Sequence, residues 1–414
     1  MNHDQKEDRR LVFGDIQNLG DMDYVCCWYK KAAEMMNARP EIKTALVSTN
    51  SITQGEQVAI LWKPLFEQYH IHIDFAYRTF RWDNKAKAKA KVHCVIIGFS
   101  CVEDRRTKVI YDESGRPEIA QNINPYLVNA PTVYVISHSK TLCDVPQIRF
   151  GSMPRDGGHF ILTEEEKNTI ELQEPFAKKW IKLYLGAKEF INNKKRWCLW
   201  LKNANPSELN QCEMVKTRIA LVKSFRENSV AAGTRKFAQT PSVFCQIAQP
   251  DSDYIAIPKT SSSNRYYLPM GFLSSQVIAS DLIFLIPNAT LYHFGVLMSS
   301  AHNAWMRSVC GRLKSDYRYS KDIVYNNFPW CEPTDKQKAD IEKTAQAILD
   351  ARAHHPDCSL ADLYNETIMP PELRKAHLAN DHAVLRAYGL KTDISEKTMV
   401  EYLFRKYSEL TKHI

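Results

Sequence analysis

The sequence predicts an α/β protein in three parts: the second half of an open sheet that ends in a β-hairpin, a mixed α/β middle, and a small all-helical end. Three observations carry this. Residues 24–99 read as helix, strand, helix, strand, strand, the order of a layered α/β sheet. Prolines and glycines interrupt residues 123–158 and leave little room for helix. After Pro329 and Pro333 the apolar spacing turns helical and stays so. A chain of 414 residues needs more than one core, and 44% hydrophobic with 25% charged residues is a globular balance.

The elements follow in order. YVCCWYKKAAEMM (24–36) has an apolar face at helical spacing and few breakers. TALVS (44–48) is a short buried strand, and residues 56–68 form a second helix. IHIDFAYRTF (71–80) alternates apolar and polar residues as a half-buried strand does, and KVHCVIIGF (91–99) is apolar enough for the inside of a sheet. The polar stretch from Glu103 to Glu118, with Gly115 and Pro117, reads as a boundary. Within the mixed segment that follows, Phe294, Leu297, Met298, Ala301 and Trp305 fall on one face of a single helix over 294–310. Thr334 and Gln337 have capping-box spacing, and Pro370-Pro371 opens a helix that stops at Gly389. The expected divisions are 1–120, 121–332 and 333–414.

A formal charge of +8 tilts the chain toward a polyanionic partner. Eleven cysteines with no CxxC pair argue against a disulfide framework or a zinc site, and favour a reducing cytoplasm. No metal is expected. The opening MNHDQKEDRR has no apolar core, and the longest apolar runs are strand-sized, so no membrane segment is expected. No GxGxxG, P-loop, HExxH or nucleophile elbow occurs.

Three basic segments remain. KAKAKAK (85–91) reads as a solvated run or a charged gatekeeper before an apolar strand. In residues 178–201 the apolar residues Trp180, Leu183, Phe190, Trp197 and Leu199 suit a core, leaving Lys194, Lys195 and Arg196 as candidate phosphate contacts. GRLKSDYRYS (311–320) places Arg312, Lys314, Asp316 and Arg318 at alternate positions, on one face if extended. Arg and Lys match guanine O6 and N7 and a carboxylate accepts from cytosine N4; the spacing fits base readout and a surface ion-pair ladder equally.

Several strings together resemble the MmeI-like family of bacterial restriction–modification methyltransferases. They are DYVCCWYKKAAEMM (23–36), TALVSTNSITQGEQVAILW (44–62), INPYLVNAP (123–131), LCDVPQIRFGSMPRDGG (142–158), YYLPMGFL (266–273), SAHNAWMRSVCGRLKSDYRYS (300–320), IVYNNFPW (323–330), ADLYN (361–365) and MPPELRKAHLANDHAVLRAYGL (369–390). The resemblance runs nearly the length of the chain. It implies site-specific adenine-N6 transfer from S-adenosylmethionine to double-stranded DNA. It also implies the end of a Rossmann-like methyltransferase sheet, a target recognition domain over 121–332 and a helical C-terminal domain that completes the DNA clamp.

The same resemblance places base readout on Arg312, Lys314, Asp316 and Arg318. Phe80 and Trp82 would wall the pocket for a flipped target base. Asn50, Ser51, Gln54 and Gly55 would form a loop at the carboxyl edge of the sheet, where ligands bind. The family's glycine-rich donor-binding turn and Asn-Pro-Pro-aromatic catalytic motif are absent here. Asn124-Pro125-Tyr126-Leu127 lacks the second proline and reads as connector, and Asn326-Asn327-Phe328-Pro329 has the wrong order. The expectation is therefore a DNA-reading remnant inactive alone, with no catalytic residue of its own. The alternatives are one half of a split enzyme completed by a separate amino-terminal chain, and a protein-interaction module with no DNA role.

Overall fold

A computed structural model describes residues 1–83, 91–102 and 107–412; most of the lysine run at 85–91 lies outside the described residues. The chain forms two compact units. One comprises Met1–Asp144, Ser300–Glu332 and Tyr388–Ile414, the other Val145–Ser299 and Pro333–Ala387. The helical end thus contributes to both.

The first unit opens with helices α1 (His3–Phe13) and α2 (Cys26–Ala38), then β1 (Thr44–Thr49), α3 (Gln57–Gln68), β2 (His72–Asp83), β3 (Lys91–Ser100), β4 (Lys108–Tyr111) and β5 (Pro117–Ala120). Their sheet runs β1-β3-β2-β4-β5. The second arm of the β2–β3 hairpin inserts antiparallel between β1 and β2, while β4 runs parallel to β2. This is the expected α/β half-sheet with its hairpin, except that β1, expected to be buried, is a terminal strand on which only Ser48 is buried. Its core is aromatic: Tyr29 and Trp62 lie 5.4 Å apart, and Tyr29 stacks on Phe99 at 5.4 Å, all fully buried. Such rings remove on the order of 150–250 Å² each from water, so this cluster fixes α2 and α3 on the sheet. Trp62 Nε1 also donates to the Ile52 carbonyl at 2.8 Å, which pins the loop after β1.

In the same unit helix Ser300–Val309 meets helix Glu396–Thr411 through Trp305, 5.2 Å from Phe404 and 5.6 Å from Tyr407. Cys26 and Cys27 are buried as expected, and desolvation pushes the Cys26 thiol up to about 12, an inert state.

Two expectations are corrected. The polar stretch from Glu103 to Glu118 is not a boundary where it is described: residues 108–120 form the β4–β5 hairpin, which extends the sheet. The Asp112 carboxylate folds it by accepting from the Ser114 and Arg116 amides at 2.8 and 2.9 Å, with Gly115 at φ +79°. The apolar helix over 294–310 is two helices, Leu291–Leu297 and Ser300–Val309. Ser299 separates them: its hydroxyl donates to the Val296 carbonyl at 2.6 Å, a local bond that competes with helix continuation.

The second unit holds an antiparallel sheet and a mixed one. One orders Gly271–Leu273, Tyr254–Pro258, Ile283–Pro287 and Arg149–Phe150; the other Ile278–Ala279, Ile181–Leu185, Trp197–Leu199 and Ile161–Leu162. The run 178–201 packs as its aromatics predict. Trp180 and Leu199 are buried, and Leu183, Phe190 and Trp197 lean on the two cores. Helices Asp335–Ala353 and Pro371–Ala387 complete the unit, and the predicted capping box at Thr334 is present.

Between those helices lies a buried polar chain. Arg352 Nε donates to the Tyr364 hydroxyl at 2.9 Å, and that hydroxyl meets His377 Nε2 at 2.8 Å. Burial, reinforced by the Arg352 charge, holds the His377 imidazole well below its usual range, and burial lowers His293 to about 4. Both are neutral when folded and take up a proton when unfolded below about pH 6.5. Their contribution is therefore full above that value and is lost as pH falls toward the folded values. The urea midpoint of this unit is expected to drop between pH 7 and 4, with uptake of about two protons on unfolding. His293→Gln, which keeps the capping box, should remove about one of them. A midpoint flat across that range contradicts this assignment.

Candidate nucleic-acid interface

The charged segment at 311–320 is a hairpin, so the shared face expected of an extended strand or loop does not form. Strands Gly311–Leu313 and Asp316–Arg318 pair Arg312 with Tyr317 and Leu313 with Asp316. Lys314 turns the chain at φ +58°. Directly opposed residues share a face, so the four charged residues do not lie together. Asp316 and Arg318 are exposed on the face of Leu313, itself 58% exposed, and Lys314 projects at the tip. Arg312 faces the other way. Its guanidinium lies 4.3 Å from the Tyr317 ring centroid and donates to the Ser315 carbonyl at 3.0 Å, which braces the turn from below.

The hairpin is rooted on the loop after β1. The Gly55 amide donates to the Val309 carbonyl at 3.0 Å, just before Gly311. Gly55 sits at φ +66°, and a Cβ there would stand 3.3 Å from the Gly311 backbone, so both conformation and space favour glycine. Asn50 reaches Thr79 at 3.4 Å and Ser51 donates to Asp23 at 2.5 Å, while the Gln54 side chain is buried with its oxygen unpartnered. This sheet-edge loop is thus mostly satisfied by its own unit. Ligands bind such sheets at the carboxyl ends of the strands; of these four residues, Asn50, Ser51 and Gly55 are engaged within the unit, so the four alone offer few free groups to S-adenosylmethionine.

Phe80 and Trp82 follow a β-bulge in β2, where Arg78 and Thr79 together oppose Val95. The bulge re-aims the strand at the sheet's carboxyl edge. Phe80 is partly buried and Trp82 is 52% exposed, with ring centroids 6.2 Å apart. In the second unit Lys194 and Lys195 are exposed, but Arg196 turns inward. It pairs with Glu189 at 3.2 Å and lies over Tyr184 at 5.0 Å, so it is not placed beside the two lysines. Among the described residues no group of three His, Cys, Asp or Glu side chains could hold a metal ion, and no helix is long and apolar enough to cross a membrane.

Three domain models of one family match nearly the whole chain: the MmeI DNA-methyltransferase domain at 1–112, the MmeI target recognition domain at 129–332 and the MmeI C-terminal domain at 333–414. The solved structure of the Type IIL restriction–modification enzyme MmeI in complex with DNA superposes with a TM-score of 0.89 at 45% identity. That match covers 99% of this chain and 55% of MmeI. This chain belongs to the MmeI family. DNA methyltransferase A of Bacillus subtilis (strain 168) is 39% identical over 415 residues, which cover 100% of this chain and 46% of that protein. The chain thus spans about half the length of the relatives it matches.

Three groups in this MmeI-family chain escaped sequence reasoning. Arg78 is mostly buried in the bulge, its Nε donating to the Leu127 carbonyl at 3.2 Å. Asn326 and Asn327 are buried and donate to the carbonyls of His138 (2.6 Å) and Ile136 (2.9 Å), tying down the proline-rich connector. Arg226 is fully buried among backbone carbonyls. The signal for the asparagines was their pairing inside an apolar-aromatic string; the arginines carried none. Asn124 is also structural, its carbonyl oxygen accepting from the Tyr126 and Val128 amides at 3.0 and 3.1 Å.

Proposed function

We propose that this chain is the DNA-recognition portion of a site-specific adenine-N6 methyltransferase of a cytoplasmic restriction–modification system, and that it uses S-adenosylmethionine only when a donor-binding half is supplied. The hairpin at 311–318 carries the reading. A β-hairpin can present its turn to the major groove, and this one offers a donor (Lys314), an acceptor (Asp316) and a second cation (Arg318) as exposed side chains, the mixed polarity that base edges require. Arg312, packed inward, shapes the ribbon. Lys194 and Lys195 serve phosphates, and Phe80 and Trp82 wall the space for an extruded adenine. The divisions 1–120, 121–332 and 333–414 are the methyltransferase, recognition and C-terminal parts.

Duplex binding by the purified chain tests the reading. The association constant is expected to fall with salt by about 0.9 log units per phosphate contact per log unit of salt, with no methyl transferred when S-adenosylmethionine is added. A salt-independent response, or methylated adenine from this chain alone, counts against it.

A second reading, assembly with a separate donor-binding chain, is favoured by β1. Among the described residues it is a terminal strand, and Val47 on it is 55% exposed. An open strand edge with apolar side chains is a template for another strand. Adding a donor-binding half from a relative should restore methyl transfer if this holds.

A further inference from the structure

A cleft of 440 Å³ opens in the first unit, at the carboxyl edge of the sheet and beneath the hairpin. Its walls come from the loop after β1 (Gln54), the β2 bulge (Arg78, Thr79), the β4–β5 turn (Asp112, Glu113) and the hairpin (Arg312, Tyr317). The volume lies within the usual range for a small-ligand site.

The charges in its walls are unevenly paired. Arg307 forms a two-armed ion pair with Glu396, at 2.8 and 2.9 Å. Asp112 is held by Ser114 and Arg116, and Lys397 pairs with Glu118 and Glu401. Among the described residues the Arg78 and Arg312 guanidiniums form no ion pair with a carboxylate. Arg78 makes one bond to a carbonyl, and Arg312 one bond to a carbonyl and one ring contact. Arg312 Nε is buried with no acceptor at all. Burial lowers the Arg78 guanidinium from its usual value, a cost that a bound anion relieves. Glu401 and Asp112 offset the Arg78 charge only through space, and Asp112 and Glu113 also line the cleft. Two forked guanidiniums without a directly bonded carboxylate are still the donor set for a phosphate group.

We propose that this cleft is a phosphodiester site in which Arg78 and Arg312 grip one phosphate of the DNA strand whose bases the hairpin reads. The site rests on the DNA-recognition reading above. Holding a phosphate against the sheet edge fixes the register of the strand relative to Phe80 and Trp82. Arg312 is then a phosphate ligand and the brace of the hairpin, not a reader of bases.

The test uses the 414-residue chain and a duplex carrying whatever motif it enriches from a random pool, with a neutral methylphosphonate placed at each position in turn. Neutralising one phosphate should weaken wild-type binding on the order of tenfold. The R78Q/R312Q chain should bind more weakly, be insensitive to that one substitution, and show a salt slope smaller by about 0.9. The R78K/R312K chain, which keeps both charges but not the forked geometry, should keep the slope but lose part of the affinity, with thermal unfolding measured alongside to separate any loss of the hairpin brace. Equal methylphosphonate sensitivity in wild type and R78Q/R312Q overturns the site while leaving DNA recognition intact. So does an R312Q chain that loses preference at one base pair with its phosphate sensitivity unchanged. A wild-type chain that enriches no motif removes the recognition reading, and this site with it.

Discussion

Arg226→Met is expected to destabilise the second unit by roughly 3–5 kcal/mol, the scale found when one partner of a buried charged group is removed. Arg226 ends a helix, yet it is fully buried. Each of its five N–H groups donates to a different carbonyl: Arg155 from Nε, Phe237 and Thr240 from one terminal nitrogen, Pro154 and Val243 from the other, all at 2.7–3.0 Å. None of these partners is a carboxylate, so the guanidinium's whole donor capacity neutralises loop backbone from two distant segments, 154–155 and 237–243. Methionine fills much of the volume but removes all five donors. The Pro154, Phe237 and Thr240 carbonyls keep one backbone N–H each, at 3.4, 3.1 and 3.4 Å, while those of Arg155 and Val243 lose the guanidinium bond. Each buried carbonyl left unpaired costs about 1–3 kcal/mol before the loops relax. Lysine cannot rescue it, having three donors to arginine's five. Hydrogen exchange should show amides of the second unit losing protection while those of the β1–β5 sheet keep theirs. A variant as protected as wild type would show that the loops hold without this clamp.

The second large effect is on recognition. Lys314→Ala and Asp316→Ala should each cost roughly 1–3 kcal/mol in binding to the preferred sequence, about fivefold to 150-fold. Binding to unrelated duplex should change little for Asp316→Ala, which removes no positive charge. Lys314→Gly separates reading from folding. Lys314 occupies the left-handed region at φ +58°, where a side chain costs on the order of 1–2 kcal/mol. A residue kept there against that cost points to function rather than turn geometry. Glycine at this position should therefore leave stability within about 1 kcal/mol of wild type while lowering affinity for the preferred sequence as much as alanine does. Thermal unfolding alongside competition binding measures both. If stability falls and discrimination holds, the turn is structural.

The half-sheet was legible because its strands carry plain patterns: alternation in 71–80, an unbroken apolar run in 94–99, helical spacing around them. The order of β1, β3 and β2 then follows from pairing. What escaped did so for local reasons. The hairpin at 311–318 turns on Lys314-Ser315, without the Asn-Gly or Asp-Gly signal of a two-residue turn, so its charges looked like one strand face. The break at Ser299 hides in an apolar face that continues across it. Residues 108–120 are polar because Asp112, Ser114 and Arg116 build their turn from side chains, and such a turn resembles a linker in sequence. Arg226 looks like the solvated end of an amphipathic helix; only two loops far away in the chain make it interior. Arg78 owes its place to a bulge, which an alternating strand pattern does not reveal.

Selection from a pool of randomised duplex DNA is the most direct test of the account. The purified chain should enrich one short motif, and the Lys314→Ala/Asp316→Ala chain should lose preference at one or two adjacent base pairs of it while keeping the rest. A wild-type pool that stays random after repeated rounds, or a double variant that enriches the identical motif, would contradict recognition by this hairpin.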